Sequence, residues 1–149
     1  MLINNNLIQL DVELDSKEAV IRYVAEMMDR AGKLNDLEQY IQDVNDREAQ
    51  ISTNLGDGIG MPHARSKAVV EAGLVFLRLK NGIEWEGEGE AVKFVFGIAA
   101  PENGGDIHLR ILSHLARKLI YDEFKQRLFN ASTSHEVLTL LEEATGGLA

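Results

Sequence analysis

His63 sits in Gly58-Ile59-Gly60-Met61-Pro62-His63-Ala64-Arg65, an apolar stretch punctuated by glycine and closed by an arginine. Pro62 fixes its own φ and restricts Met61 before it, so the imidazole is carried on stiff chain. Gly58 and Gly60 leave room for another backbone or an anion to approach. An imidazole with the ordinary pKa of about 6.5 is mostly neutral near neutral pH, and one nitrogen can attack while the other is oriented by a partner. Phosphoryl transfer fits that chemistry. A second reading of the octapeptide stands beside it: a histidine at a strand end, satisfied by a backbone carbonyl and chemically idle.

The remaining reactive residue types narrow the field. His108 opens a helical run whose Leu112, Leu115 and Leu119 continue its stripe, which turns its side chain toward a sheet and on its own reads as a structural histidine. His114 lies well around that helix, near Arg110 and Arg117, and reads as solvated surface. His135 falls in a first helical turn and is assigned no chemistry. Arg47 ends a helical stretch, where a cation complements the helix dipole or serves a site. The chain has no cysteine, which excludes disulfides, thiolate metal sites and cysteine nucleophiles. No His-x-x-x-His or Glu-x-x-His pair occurs. The run Glu84-Trp85-Glu86-Gly87-Glu88-Gly89-Glu90 lacks a calcium-loop pattern and reads as a solvated hairpin extension. With no phosphate-binding Gly-x-x-x-x-Gly-Lys-Ser/Thr loop, any phosphoryl donor is expected to be another protein, and neither metal nor cofactor is expected. No serine or cysteine nucleophile with a companion acid stands out for a hydrolase.

These residues must be positioned by a single α/β domain spanning residues 1–149, because 149 residues at 45% hydrophobic content suffice for one core. No run of 18 apolar residues and no secretory leader pattern is present, so the reading is cytoplasmic, without membrane insertion. A net charge of −9 and a pI near 4.9 argue against nucleic acid as a partner. They suit a basic protein partner, or plain solubility. Helical spacing runs from about Ser16 to Ala31, with Asp15 placed to cap, Glu18 at the capping-box position and Gly32 beyond the end. A second helix spans about Asp36 to Ala49, with Leu37, Ile41 and Val44 on one stripe. Strands are expected at Leu74 to Leu79 and about Val92 to Ala99, with Asn81-Gly82 as a tight hairpin turn. Three helices close the chain, near Ile107–Ile120, Asp122–Asn130 and Ser134–Ala144, the last with Thr133 and Glu136 spaced as a capping box. The expected architecture is a mixed β-sheet flanked by helices.

The octapeptide continues a longer pattern: Arg47-Glu48, then Thr53, the Gly58-x-Gly60 turn and Pro62-His63-Ala64-Arg65. Downstream comes Asp106-Ile107-His108-Leu109-Arg110-Ile111-Leu112-Ser113. Together these motifs resemble the fructose/mannitol-type enzyme IIA domain of the bacterial phosphotransferase system. The resemblance runs from Ile8 through the last helix. Gly60-Met61 stands where that family more often carries alanine and isoleucine, a small change in volume.

The resemblance implies the fructose/mannitol-type enzyme IIA fold and a phosphocarrier role. His63 would accept a phosphoryl group from phospho-HPr at Nε2, with Nδ1 held by a backbone carbonyl, and pass it to a separate cysteine-bearing enzyme IIB that feeds a membrane enzyme IIC. Arg47 and His108 would donate to the phosphoryl oxygens, and Thr53 would add a hydroxyl contact. Arg65 would serve partner docking or remain a solvated charge. Ile59 and Met61 would offer an apolar docking patch around His63. Two other functions stay open: a regulatory module like the nitrogen-related branch of the family, and a non-catalytic interaction domain on the same scaffold.

Overall fold

Two long runs of apolar and β-branched residues, β5 (Gly73–Ile83) and β6 (Val92–Pro101), pair antiparallel at the centre of a six-stranded mixed sheet. Successive residues in both are buried, and since neighbours in a strand point to opposite faces, the centre of the sheet is covered on both sides. The structure, a computed structural model, describes residues 1–86, 91–146 and 148. β1 (Ile8–Val12) lies parallel to β5. On the far side of β6 lie β3 (Ile59–Gly60) and β4 (His63–Ser66), both parallel to it, with β2 (Asn54–Gly56) antiparallel to β3.

Two helix groups supply the cover. α1 (Lys17–Arg30) and α2 (Leu37–Gln50) pack on each other, α1 against β5 and β6 and α2 against β4. α3 (Ile107–Leu119), α4 (Asp122–Phe129) and α5 (Ser134–Ala144) form the other group, α3 against β6 and α5 against β1. The mixed sheet flanked by helices is thus the observed architecture. α1 approaches closely because Gly97 of β6 has no side chain: a Cβ there would stand 2.4 Å from Val24 Cγ1. Phe76 and Phe96, partners across the β5–β6 ladder, add a tilted ring pair with centroids 5.2 Å apart.

Local chemistry sets the element ends, not always where the spacing alone places them. Ser16, not Asp15, caps α1, its hydroxyl accepting from Ala19 N at 3.0 Å. That moves the third helical position to Ala19, so Glu18 is not the capping-box partner. Gly32 follows the helix at φ +76°. Asp36 caps α2 by accepting from Gln39 N, and Thr133 caps α5 by accepting from Glu136 N. Asn81-Gly82 is not a hairpin turn: both residues lie within β5, where the register shifts between Arg78 and Ile83. The two-residue turn is Asp57-Gly58, joining β2 to β3 with positive φ at both positions, as the primed turns require. Of the acidic run at 84–90, residues 87–90 lie outside the described residues; Trp85 is not solvated but buried.

Along one edge of β6, β3 pairs with Phe94 and Val95, and β4 pairs with Ile98 to Pro101. The break between them is Met61-Pro62. Proline has no N–H to give the ladder. The Met61 N–H turns away to the Thr53 carbonyl at 3.1 Å, and the Pro62 carbonyl accepts from Ile98 N at 3.0 Å. Pairing therefore resumes at His63, whose register partner is Ile98.

Candidate functional site

The last turn of α2, the start of β4 and the start of α3 meet at a cleft of about 620 Å³. Arg47, His63, Arg65 and His108 all line it. His63 is only 8% exposed. Its Nδ1 lies 2.8 Å from the Met61 carbonyl oxygen. A carbonyl can only accept, so the ring proton sits on Nδ1 and the Nε2 lone pair is left free. Burial is the main influence pushing the His63 pKa below the ordinary histidine value; the charges of Arg47 and the neighbouring His108 act in the same direction. The Met61 hydrogen bond and Glu48 oppose them. The result is a neutral imidazole with one unprotonated nitrogen at neutral pH.

His108 is half-buried at the beginning of α3, and its Nδ1 is fully covered with no hydrogen-bond partner. Burial, then the Arg65 guanidinium, lowers its pKa as well, while Asp106 works against them. A neutral ring carries one N–H, and an orphaned buried N–H is rarer than an under-satisfied acceptor, which favours the tautomer protonated on Nε2. Arg47 is half-buried, its Nη1 donating to the Ile51 carbonyl at 3.1 Å. β4 stays extended after Pro62, so strand alternation brings Arg65 to the cleft, its Nε donating to the Glu102 carbonyl at 2.9 Å. Lys67 adds a third cation, and Asp43, Asp46 and Glu102 bring three carboxylates to the rim. The cleft is locally balanced on a protein of net charge −9.

Thr53 is placed differently from the expected hydroxyl contact. It does not line the cleft; its Oγ1 donates to Glu48 Oε2 at 2.5 Å and its N–H to Glu48 Oε1 at 3.3 Å. Ile59 and Met61 are each 3% exposed and supply no docking patch. The exposed apolar side chains adjoining site segments are Ile51, just past α2, and Leu109, next to His108. The space left by Gly60 is filled by Val92 and Trp85, and that beside Gly58 by the β6 backbone, so neither glycine opens onto an anion.

Sequence reasoning placed Glu48 in the motif beside Arg47 but gave it no role. It is 8% exposed, and besides Thr53 it accepts from Trp85 Nε1 at 3.1 Å and pairs with Lys17 Nζ at 2.9 Å. Helical spacing carried the signal: Tyr40, Val44 and Glu48 recur every four residues and form the buried face of α2. Among the described residues, no group of three or more His, Asp or Glu side chains could hold a metal ion. Among the described residues, no helix is long and apolar enough to cross a membrane.

The family model described as "Phosphoenolpyruvate-dependent sugar phosphotransferase system, EIIA 2" matches residues 1–144. The fructose-specific EIIABC component of Bacillus subtilis is 34% identical over 143 residues, covering 95% of this chain and 22% of that protein. The chain thus spans about a fifth of that relative's length. Among solved structures, the nitrogen regulatory protein IIA-Ntr from Neisseria meningitidis superimposes with a TM-score of 0.85 at 29% identity, over 93% of this chain and 94% of that one. Enzyme IIA mannitol from Escherichia coli, solved in complex with phosphorylated enzyme IIB mannitol, superimposes with a TM-score of 0.81 at 28% identity, over 95% and 97%.

Proposed function

The chain belongs to the type-2 enzyme IIA family of the phosphoenolpyruvate-dependent sugar phosphotransferase system, and on that premise we propose that it is a cytoplasmic phosphocarrier whose acceptor is Nε2 of His63. One observation carries the reading: the Met61 carbonyl holds Nδ1, leaving an unprotonated Nε2 on a neutral ring in a cleft shared with Arg47 and His108. The donor is phosphohistidine on HPr. Nε2 attacks phosphorus with its lone pair as the donor's P–N bond breaks, the departing imidazole keeping that electron pair. Arg47 donates to the equatorial oxygens, where charge is spread in the transition state, and His108 does so through its Nε2–H. Arg65 adds positive potential and a rim contact for the docking protein. The phosphoryl group then leaves for the cysteine of a separate enzyme IIB, the partner class with which the mannitol relative was solved, and so reaches a membrane enzyme IIC. No cofactor takes part.

Intact-mass spectrometry after incubation with phosphoenolpyruvate, enzyme I and HPr tests this reading. One acid-labile phosphoryl group is expected on the parent and none on His63→Ala. A folded parent that gains no mass would overturn the reading in favour of an interaction domain.

The likeness to the nitrogen regulatory protein supports a second role for the same chemistry, in which the phosphorylation state controls another protein without sugar transport. Transfer onward to a cysteine-bearing enzyme IIB separates the two: transport requires it and regulation does not.

A further inference from the structure

Glu48 faces away from the cleft and touches no group that would meet a phosphoryl oxygen, yet two chains of contacts run from it into the site. The first passes through Thr53. Glu48 accepts both the Thr53 N–H and its hydroxyl; the Thr53 carbonyl accepts the Met61 N–H; and the Met61 carbonyl holds His63 Nδ1. The second runs through the same short turn after α2. Thr53, fixed by Glu48, closes that turn, and the Ile51 carbonyl within it receives Arg47 Nη1. The nucleophile and the cation beside it thus hang from one buried carboxylate.

The carboxylate is itself held from outside the site. Lys17 of α1 reaches Glu48 Oε1 and also binds Glu86 at 2.5 Å, with its ammonium 5.1 Å from the centre of the Trp85 ring. Trp85 donates to the same Oε1. Burial alone would lower the Lys17 pKa, but its bonds to Glu86 and Glu48 outweigh burial and raise it, so the ammonium stays charged. Oε1 receives three donors and Oε2 one, which leaves the carboxylate little freedom to turn.

We propose that Glu48 is a positioning residue for phosphoryl transfer, setting the His63 ring through Thr53 and Met61 and setting Arg47 through the turn between them. This rests on the reading of His63 as the acceptor. Truncation at Glu48 releases Thr53 from its side-chain anchor while β3 stays paired with β6, so the Met61 carbonyl holds the tautomer of His63 less firmly. A displacement of about 1 Å at the reacting atoms costs on the order of a hundredfold in rate. Glutamine rescues this: its carbonyl oxygen still accepts at the Oε1 position, and its amide donates to the Thr53 hydroxyl, which can also accept.

The test pairs two readouts on the parent, Glu48→Ala, Glu48→Gln and Thr53→Val. One is the single-turnover rate of phosphorylation by phospho-HPr. The other is the ring-nitrogen NMR spectrum of the unphosphorylated protein at pH 8, which reports the His63 tautomer. The parent is expected to show a single Nδ1–H form. Glu48→Ala is expected to show mixed tautomers and a rate about a hundredfold lower. Glu48→Gln should recover most of both, and Thr53→Val should fall between. A folded Glu48→Ala with the parent's ring spectrum and a rate within twofold of it would make Glu48 a structural brace only. Should Glu48→Ala fail to fold, Thr53→Val with the parent's spectrum overturns the proposal. A parent that takes no phosphoryl group refutes the phosphocarrier reading instead. The ring spectrum, which needs no donor, then still decides whether Glu48 sets His63.

Discussion

Tyr40 donates its phenolic proton to the Ile98 carbonyl at 2.8 Å, and Ile98 is the residue that faces His63 across the β4–β6 ladder. One hydrogen bond thus ties the helix carrying Arg47 to the strand bracing His63. The ring is fully buried, which raises the phenol's pKa above its ordinary value and keeps the donor protonated. Tyr40→Phe is expected to keep the packing and leave the Ile98 carbonyl with its β4–β6 ladder bond alone, at a cost of about 0.5–1.5 kcal/mol, the net value of one hydrogen bond. Urea denaturation at pH 7 checks this, and an unchanged midpoint would remove the clamp.

Arg47→Ala is expected to slow phosphorylation by phospho-HPr about a hundredfold to a thousandfold, the loss typical of one donor to developing transition-state charge. Arg47→Lys keeps the charge without the planar fork and should recover only part of it. Single-turnover rates for the three proteins make the comparison; equal rates in Arg47→Ala and the parent would dismiss its role.

Gly97→Ala places a methyl group 2.4 Å from Val24 Cγ1, nearer than packed carbon atoms allow. Val24 is itself buried in α1 and has little room to yield. The expected destabilisation is about 1–3 kcal/mol, the range for overpacked cores. The double variant Val24→Ala/Gly97→Ala should be more stable than the sum of the single effects suggests.

Acid sensitivity follows from the two site histidines, both with folded pKa values below the ordinary histidine value. Between about 6.5 and those lowered values the unfolded chain binds more protons than the folded one. Stability is therefore at its full value above about pH 6.5 and declines as pH falls through that window. His63→Gln should flatten part of the decline when denaturation midpoints are compared from pH 8 to pH 5. For the same reason the phosphorylation rate should hold steady down to and just below pH 6.5, since Nε2 stays unprotonated there.

Much of this site was legible in the sequence because stiff chain and simple periodicity specify it. Pro62 and the glycine turn mark His63, and the apolar stripe of α3 turns His108 inward. Arg65 was open in the sequence, and joins the cleft because β4 stays extended after Pro62. What was not legible depended on partners far along the chain. Thr53 reads as a free hydroxyl until the buried carboxylate of Glu48 claims it. Trp85 reads as part of a solvated acidic run until Lys17 and Glu48 gather around it. Asn81-Gly82 has the composition of a turn, yet β5 continues past it through an irregular stretch, because pairing with β6 is taken up again at Ile83↔Val92. Tertiary pairing outweighs local preference there, while Asp57-Gly58 takes the turn instead.

The Met61 carbonyl occupies one nitrogen of His63, and the other opens on a single cleft. For the phosphocarrier proposed above, a protein that delivers a phosphoryl group and a protein that collects it must use the same doorway, one after the other, and no complex of all three would lie on the reaction path. Each partner competes with the other for the carrier, so an excess of spent donor should slow collection as surely as a shortage of charged donor slows delivery. The flux through such a relay is set by how quickly each visitor leaves, which favours contacts that are brief over contacts that are tight.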